Sequence, residues 1–334
     1  MANATTMSTD LVIDNELVRL GIVETLEQNI DGFNAATMGT ITLTSEKLEN
    51  NFADESFIKA IAASDLVKRR DYTDSTTAAE TIKLVEDSLN TVKLSRRYGP
   101  FETSYDAWNR SNRTIDTFSL ALGQQLGVAI QADMLNTLIV AGVAGIQAAN
   151  TKIGTGAAVF DYADIIDGLA SFGDKAGNVK MLVMHSNTYF SVVDKGLSMN
   201  ALDSVGGATI REGGAYSLGL PVLVTDSAAL ISDANGGGTA GDSYLCLGLT
   251  MEALRAIESD ETIMKSQDVL LTENIKHIIQ GEASYNVGVK GCEYDITKGA
   301  NPTDAVLGAT ANWSYVFSDV KSGPGFVLEL KARA

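Results

Sequence analysis

One stripe of apolar residues does most to limit what this chain can fold into. From residue 113 to about residue 141, Ile115, Phe118, Leu122, Leu126, Ile130, Met134 and Leu138 recur at three- and four-residue steps, with Ala121, Ala129 and Ala132 beside them. No proline interrupts the run. The spacing predicts a helix of about 28 residues, about 42 Å long at the α-helical rise and well beyond the average globular helix. Asn112 is placed to cap its start, and Gly142 and Gly145 stand near its end. A helix of that length is a spine around which other elements pack.

What flanks the spine differs on its two sides. Residues 1–45 are acidic and poor in large apolar anchors, apart from a short amphipathic helix predicted over residues 14–28 (Leu17, Leu20, Val23, Leu26). They read as an arm that needs a surface to lie on. Residues 45–63 carry Leu48, Phe52, Phe57, Ile58 and Ile61 at helical spacing, with Ser45 as N-cap. Residues 81–85 and 91–96 alternate, placing Ile82, Leu84, Val92 and Leu94 on one side of two strands, and residues 87–90 between them read as a turn. Such a two-stranded excursion cannot form its own core, so its apolar side needs a cover.

Beyond the spine the pattern becomes α/β. Helices are expected over residues 161–172 and 187–195, and buried strands over 179–184 (VKMLVM) and 220–225 (LPVLVT). Residues 202–217 and 232–242 are Gly-rich loops, and strands follow at 244–249, 253–258 and 276–288.

Charge is distributed unevenly. The chain has 334 residues and a net charge of −17, which excludes an ordinary nucleic-acid-binding domain with its basic stripe. Residues 1–64 carry 3 basic and 10 acidic groups, residues 65–113 carry 9 and 8, and the remainder carries 13 and 24. One near-neutral segment thus sits in an acidic chain, and Lys68, Arg69, Arg70, Arg96 and Arg97 lie within it. Copies of an acidic protein repel one another unless such a complementary element brings them together. No signal peptide or charge-free apolar run of about 18 residues is read in the sequence, so no membrane partner is expected.

A search for chemistry finds no reactive constellation. The sequence lacks the phosphate-loop, dinucleotide-binding, zinc-protease and serine-hydrolase-elbow motifs. Two histidines and two distant cysteines, Cys246 and Cys292, offer no zinc ligand set, and the cysteines read as small buried thiols. His185 follows a buried strand, where a catalytic residue of an α/β enzyme can sit. A structural histidine is the simpler reading there, and the same holds for His277. No catalytic residue, metal or cofactor is expected.

The order of parts resembles the tailed-bacteriophage major capsid family with the Hong Kong 97-like fold. VKMLVMHSNTYFSVVDKGL and IREGGAYSLGLPVLVTDS are similar to that family's axial-domain units, and GVKGCEYDITKGANPTDAVLGATANW to the C-terminal region of a podovirus-type branch. The resemblance implies an α+β fold with an N-arm (1–45), an extended E-loop hairpin (65–108) and an α/β axial (A) domain (151–242 plus 291–334). The peripheral (P) domain would comprise 46–64, 109–150 with spine helix 113–141, and 243–290.

It further implies a shell protein that forms hexamers and pentamers around double-stranded DNA without sequence-specific binding. The virion capsid would be assembled in the host bacterial cytoplasm, with a portal, a decoration or staple protein and a separate scaffolding protein as further partners. The chain starts almost at its arm, which implies a separate scaffolding protein or none. Lys68, Arg69, Arg70, Ile82, Leu84, Val92, Leu94, Arg96 and Arg97 are the expected subunit-interface residues. Lys83 and Lys93 lie in the expected E-loop, but no cross-linking partner matches, so no cross-link is expected. An encapsulin-like compartment shell and a cytosolic α/β enzyme using His185 are the alternatives.

Overall fold

The computed structural model describes residues 15–45, 51–58, 67, 72–73, 81, 86–104, 115–150, 153, 162–203, 220–232, 243–259, 263–270, 273, 275–317 and 319–331. Two sheets and a long helix organise them. Helix α1 (Asn15–Ala36) leads to strands β1 (Ile41–Ser45), β2 (Phe52–Ile58) and β3 (Glu86–Ser104), then to the spine helix α2 (Ile115–Ala149). Helix α3 (Tyr162–Ala170), strand β4 (Val179–Met184), helix α4 (Ser186–Asp203) and strands β5 (Val222–Val224) and β6 (Ile231–Ser232) follow. Strands β7 (Ser243–Thr250), β8 (Leu254–Glu258), β9 (Ile263–Val269), β10 (Lys276–Val289), β11 (Cys292–Tyr294), β12 (Trp313–Tyr315) and β13 (Gly325–Lys331) complete the chain, with a short helix α5 (Asp304–Leu307) before β12.

The spine is longer than its glycines suggest. It continues past Gly142 and Gly145 to Ala149 because both glycines point at the first sheet and not at a cap. A Cβ on Gly142 would lie 2.8 Å from the Leu254 side chain, and one on Gly145 2.9 Å from Val289. Their lack of a side chain lets helix and sheet approach closely, which is worth more here than the helix propensity lost. The expected stripe is buried: Leu126, Ile130, Met134 and Leu138 are all under 8% exposed. Residues 119–149 are also long and apolar enough to cross a membrane by composition, but half of their most apolar window is packed against this chain.

The first sheet runs β1-β8-β10-β11-β12, with β3 and β9 also pairing β10 and β2 pairing β3. Residues 15–45 find their surface on the chain itself. Val18, Ile22 and Leu26 of α1 share the core of the spine, and β1 pairs in parallel with β8, Ile41 opposite Leu254.

Two local readings are corrected here. Residues 52–58 are a strand, not part of a helix over 45–63, because their backbone pairs with residues 86–92; long-range pairing overrides local spacing. Residues 87–90 are likewise not a turn. Their polar composition suits one, but each opposes a residue of β2 within the continuous strand β3. The two legs of the hairpin are therefore 52–58 and 86–92, and its connection spans residues 59–85.

The second sheet, β13-β7-β4-β5 with β6 on β7, is enclosed from both sides. Met181, Val183, Leu245, Leu247 and Val327 join the core of the spine helix. Leu182, Met184, Cys246, Phe326 and Leu328 form a second core with Ile165 of α3 and Phe172. This alternation explains VKMLVM: both of its faces need apolar residues, except at exposed Lys180. Sheet membership also links distant parts of the chain. Residues 243–250 belong to the second sheet, since β7 bonds to β4 and β13, while 292–294 and 313–315 belong to the first. The Gly-rich residues 204–219 and 233–242 lie outside the described residues.

Both cysteines are buried free thiols in different sheets. Burial pushes each thiol up to about 12, so the reactive thiolate is nearly absent at neutral pH. A thiol reagent such as iodoacetamide is expected to leave both unmodified in the native chain and to modify both in denaturant. Rapid native modification of either would contradict the packing.

Candidate functional site

The hairpin formed by β2 and β3 is rooted in the first sheet. β3 changes partner along its length: residues 92–104 pair with β10, and residues 86–92 pair with β2, all within the first sheet. Of the nine residues singled out in the sequence, Lys68, Arg69, Arg70, Ile82 and Leu84 lie outside the described residues. Their described neighbours are informative. Val67 is 83% and Tyr72 87% exposed, so no described residue covers the two large side chains that flank the basic triplet in sequence.

The other four stand where the hairpin roots in the sheet. Val92 and Leu94 are fully buried, opposite Val287 and Tyr285, and complete the chain's own core. They need no neighbour, because β3 at this point is a sheet strand and not half of an isolated ribbon. Arg97 is exposed, across from Glu282 in the register.

Arg96 turns inward and ties the hairpin root to the spine. Its Nε donates to Asp133 Oδ2 at 2.8 Å, and its Nη2 to Thr137 Oγ1 at 3.1 Å and Asp304 Oδ1 at 3.3 Å. The guanidinium lies 5.7 Å from the Tyr285 ring centroid, and the Tyr285 hydroxyl donates to Asp133 at 2.8 Å. Burial pushes the Tyr285 phenol well above its usual range, which keeps it a donor. The cluster thus joins β3, β10, α2 and α5 at one point.

Sequence reasoning found Arg96 but missed its partners. A signal was present: Asp133 is the only charged residue between positions 117 and 151. A lone carboxylate in an apolar helix needs a partner. A double-mutant cycle of Arg96→Ala and Asp133→Ala, read by chemical denaturation, is expected to give a coupling energy of about 1–3 kcal/mol. Coupling near zero would reduce the pair to an exposed ion pair.

The histidines are held in structural settings. His185 Nδ1 accepts from the Asn187 backbone N–H at 3.2 Å, and its ring packs on Tyr244 with centroids 4.8 Å apart. Its Nε2 lies 3.8 Å from Asp226. The Ser186 hydroxyl is hydrogen-bonded to Asp226, which lowers that carboxyl below its usual range, so Ser186 is engaged with the carboxylate. His277 is buried beside Asp268, its cross-strand partner, at 2.5 Å. Among the described residues no group of three or more His, Cys, Asp or Glu could hold a metal ion.

A protein-family model described as "Gp13-like: Major capsid protein 13-like" matches residues 10–327. The chain belongs to the Gp13-like major capsid protein family. This capsid chain is also similar in fold to the structure titled "Cyanophage Pam1 capsid asymmetric unit". The TM-score is 0.52 at 10% identity, covering 87% of this chain and 88% of that one. More distant in shape are a capsid structure of cyanophage P-SCSP1u (TM-score 0.42, 14% identity, 89% and 88% covered) and a virus-like particle from Pyrococcus furiosus (0.41, 8%, 94% and 98%). No curated protein sequence matches the capsid chain. It is therefore an α+β capsid protein of the Hong Kong 97-like fold, a structural component of the virion and not an enzyme.

Proposed function

We propose that the chain forms hexamers and pentamers of an icosahedral shell around phage double-stranded DNA, holding neighbours together through residues 59–85. The observation that carries this reading is the bare flank of the basic triplet: Val67 and Tyr72 are almost fully exposed on either side of Lys68, Arg69 and Arg70. A neighbouring copy supplies the cover, with Ile82, Leu84 and Arg97 at the same contact. Residues 65–113 are the one near-neutral stretch of an acidic chain, and so the stretch that can meet another copy without strong repulsion. In this reading the first sheet with the spine forms the P-domain, and the second sheet with α3 and α4 forms the A-domain. A scaffolding protein, a portal and a decoration or staple protein complete the assembly.

Negative-stain microscopy and gel filtration of the expressed chain test the reading. Megadalton shells are the expected result, and small oligomers alone would overturn it. Shells that copurify with a cargo enzyme in place of DNA would favour a compartment shell.

A further inference from the structure

The described residues hold a second concentration of positive charge, remote in sequence from the hairpin. Two adjoining cavities of about 380 and 460 Å3 share Lys290 and Phe317 in their walls. Arg255 lines the first, and Lys175, Lys180 and Lys321 line the second. These five cations are drawn from only thirteen basic residues after position 113, in a stretch with 24 acidic ones. Three carboxylates oppose them. Asp174 accepts from Lys321 at 2.5 Å, Asp319 lies 3.9 Å from Lys175, and Glu252 lines the first cavity.

Lys180 and Lys290 are placed differently. They donate to the backbone carbonyls of Gly177 and Met251, each at 2.8 Å, and among the described residues neither is ion-paired with a carboxylate. Thr42, Thr44, Asn178 and Ser322 add hydroxyl and amide groups to the same walls. Lysine beside hydroxyl and amide donors is the set by which proteins hold the phosphate oxygens of nucleic acid. Four of these five cations are lysines, point charges suited to phosphate.

We propose that this groove holds backbone phosphates of the enclosed double-stranded DNA. The inference rests on the shell reading above. With Lys180 and Lys290 as its unneutralised charges, the groove takes about two phosphates per chain, a contact that salt weakens readily. It positions DNA against an otherwise acidic chain and does not trap it.

Acetylation of lysines in DNA-filled and DNA-emptied particles, read by mass spectrometry, tests the proposal. Lys180 and Lys290 are expected to react several-fold more slowly in filled particles, while exposed Lys298 reacts equally in both. Slow reaction in both would place a neighbouring copy in the groove, and fast reaction in both would leave it empty; either result overturns the proposal. Emptied particles given inorganic phosphate form a third arm. Protection by phosphate but not by packaged DNA would make this a free-anion site and also overturn it. A chain that forms no particles refutes the shell reading instead. The groove is then judged on the soluble chain binding a short DNA duplex, where Lys180→Gln with Lys290→Gln is expected to make the salt dependence of log affinity shallower by about 2. An unchanged slope overturns the groove.

Discussion

A chain carrying Arg69→Glu and Arg70→Glu is expected to fold as the unmodified chain does and to form no particles. The substitutions take the net charge from −17 to −21 and make acidic the one segment that was near neutral. Each exposed ion pair at a subunit contact contributes only about 0–1 kcal/mol. The effect is large because a shell repeats the contact at every subunit and because opposition replaces attraction. Circular dichroism and gel filtration establish the folded monomer, and negative-stain microscopy counts the particles. Normal particle yield from this variant would remove residues 59–85 from the interface.

The second large effect is expected inside the second sheet. Phe326 is fully buried, its ring filling a slot with glycine on both sides. A Cβ on Gly168 of α3 would lie 2.4 Å from that ring, and one on Gly248 of β7 2.3 Å from it. Phe172 adds a tilted aromatic contact with ring centroids 6.3 Å apart. Phe326→Ala is expected to cost about 3–5 kcal/mol, because glycine walls have no side chains with which to refill the cavity. Denaturant unfolding of the unassembled chain measures this. A loss below about 1 kcal/mol would mean that α3 closes onto the sheet. The converse change, Gly248→Leu, drives a side chain into the ring and is expected to destabilise by overpacking.

The parts of this fold legible in the sequence were those whose local pattern and tertiary role agree. The stripe from Leu126 to Leu138 faces the core that its spacing predicts. VKMLVM is a strand buried on both faces because a helix covers each side of its sheet. Where the two levels conflict, local pattern misleads. Residues 87–90 have turn chemistry but a strand's partners, and Gly142 and Gly145 look like a helix end but serve as points of close approach. The hairpin site was half legible. Its charge imbalance marks the basic triplet, but alternation alone could not show that Val92 and Leu94 face a sheet supplied from residues 276–289. The partners of Arg96 come from positions 37 to 208 residues away and converge only in the folded chain.

The long-range pairing has a consequence for the order of events during synthesis. β1 pairs with β8, more than 200 residues later, and β7 waits for β13 at residues 325–331. At about 5–20 residues per second on the ribosome, a nascent chain spends many seconds with β1 made and its partner not yet translated. The first sheet cannot be completed until residues 313–315 have emerged, nor the second until residues 325–331 have. Neighbouring chains growing on one messenger therefore lack finished docking surfaces, and association waits until residues 325–331 of each copy have emerged.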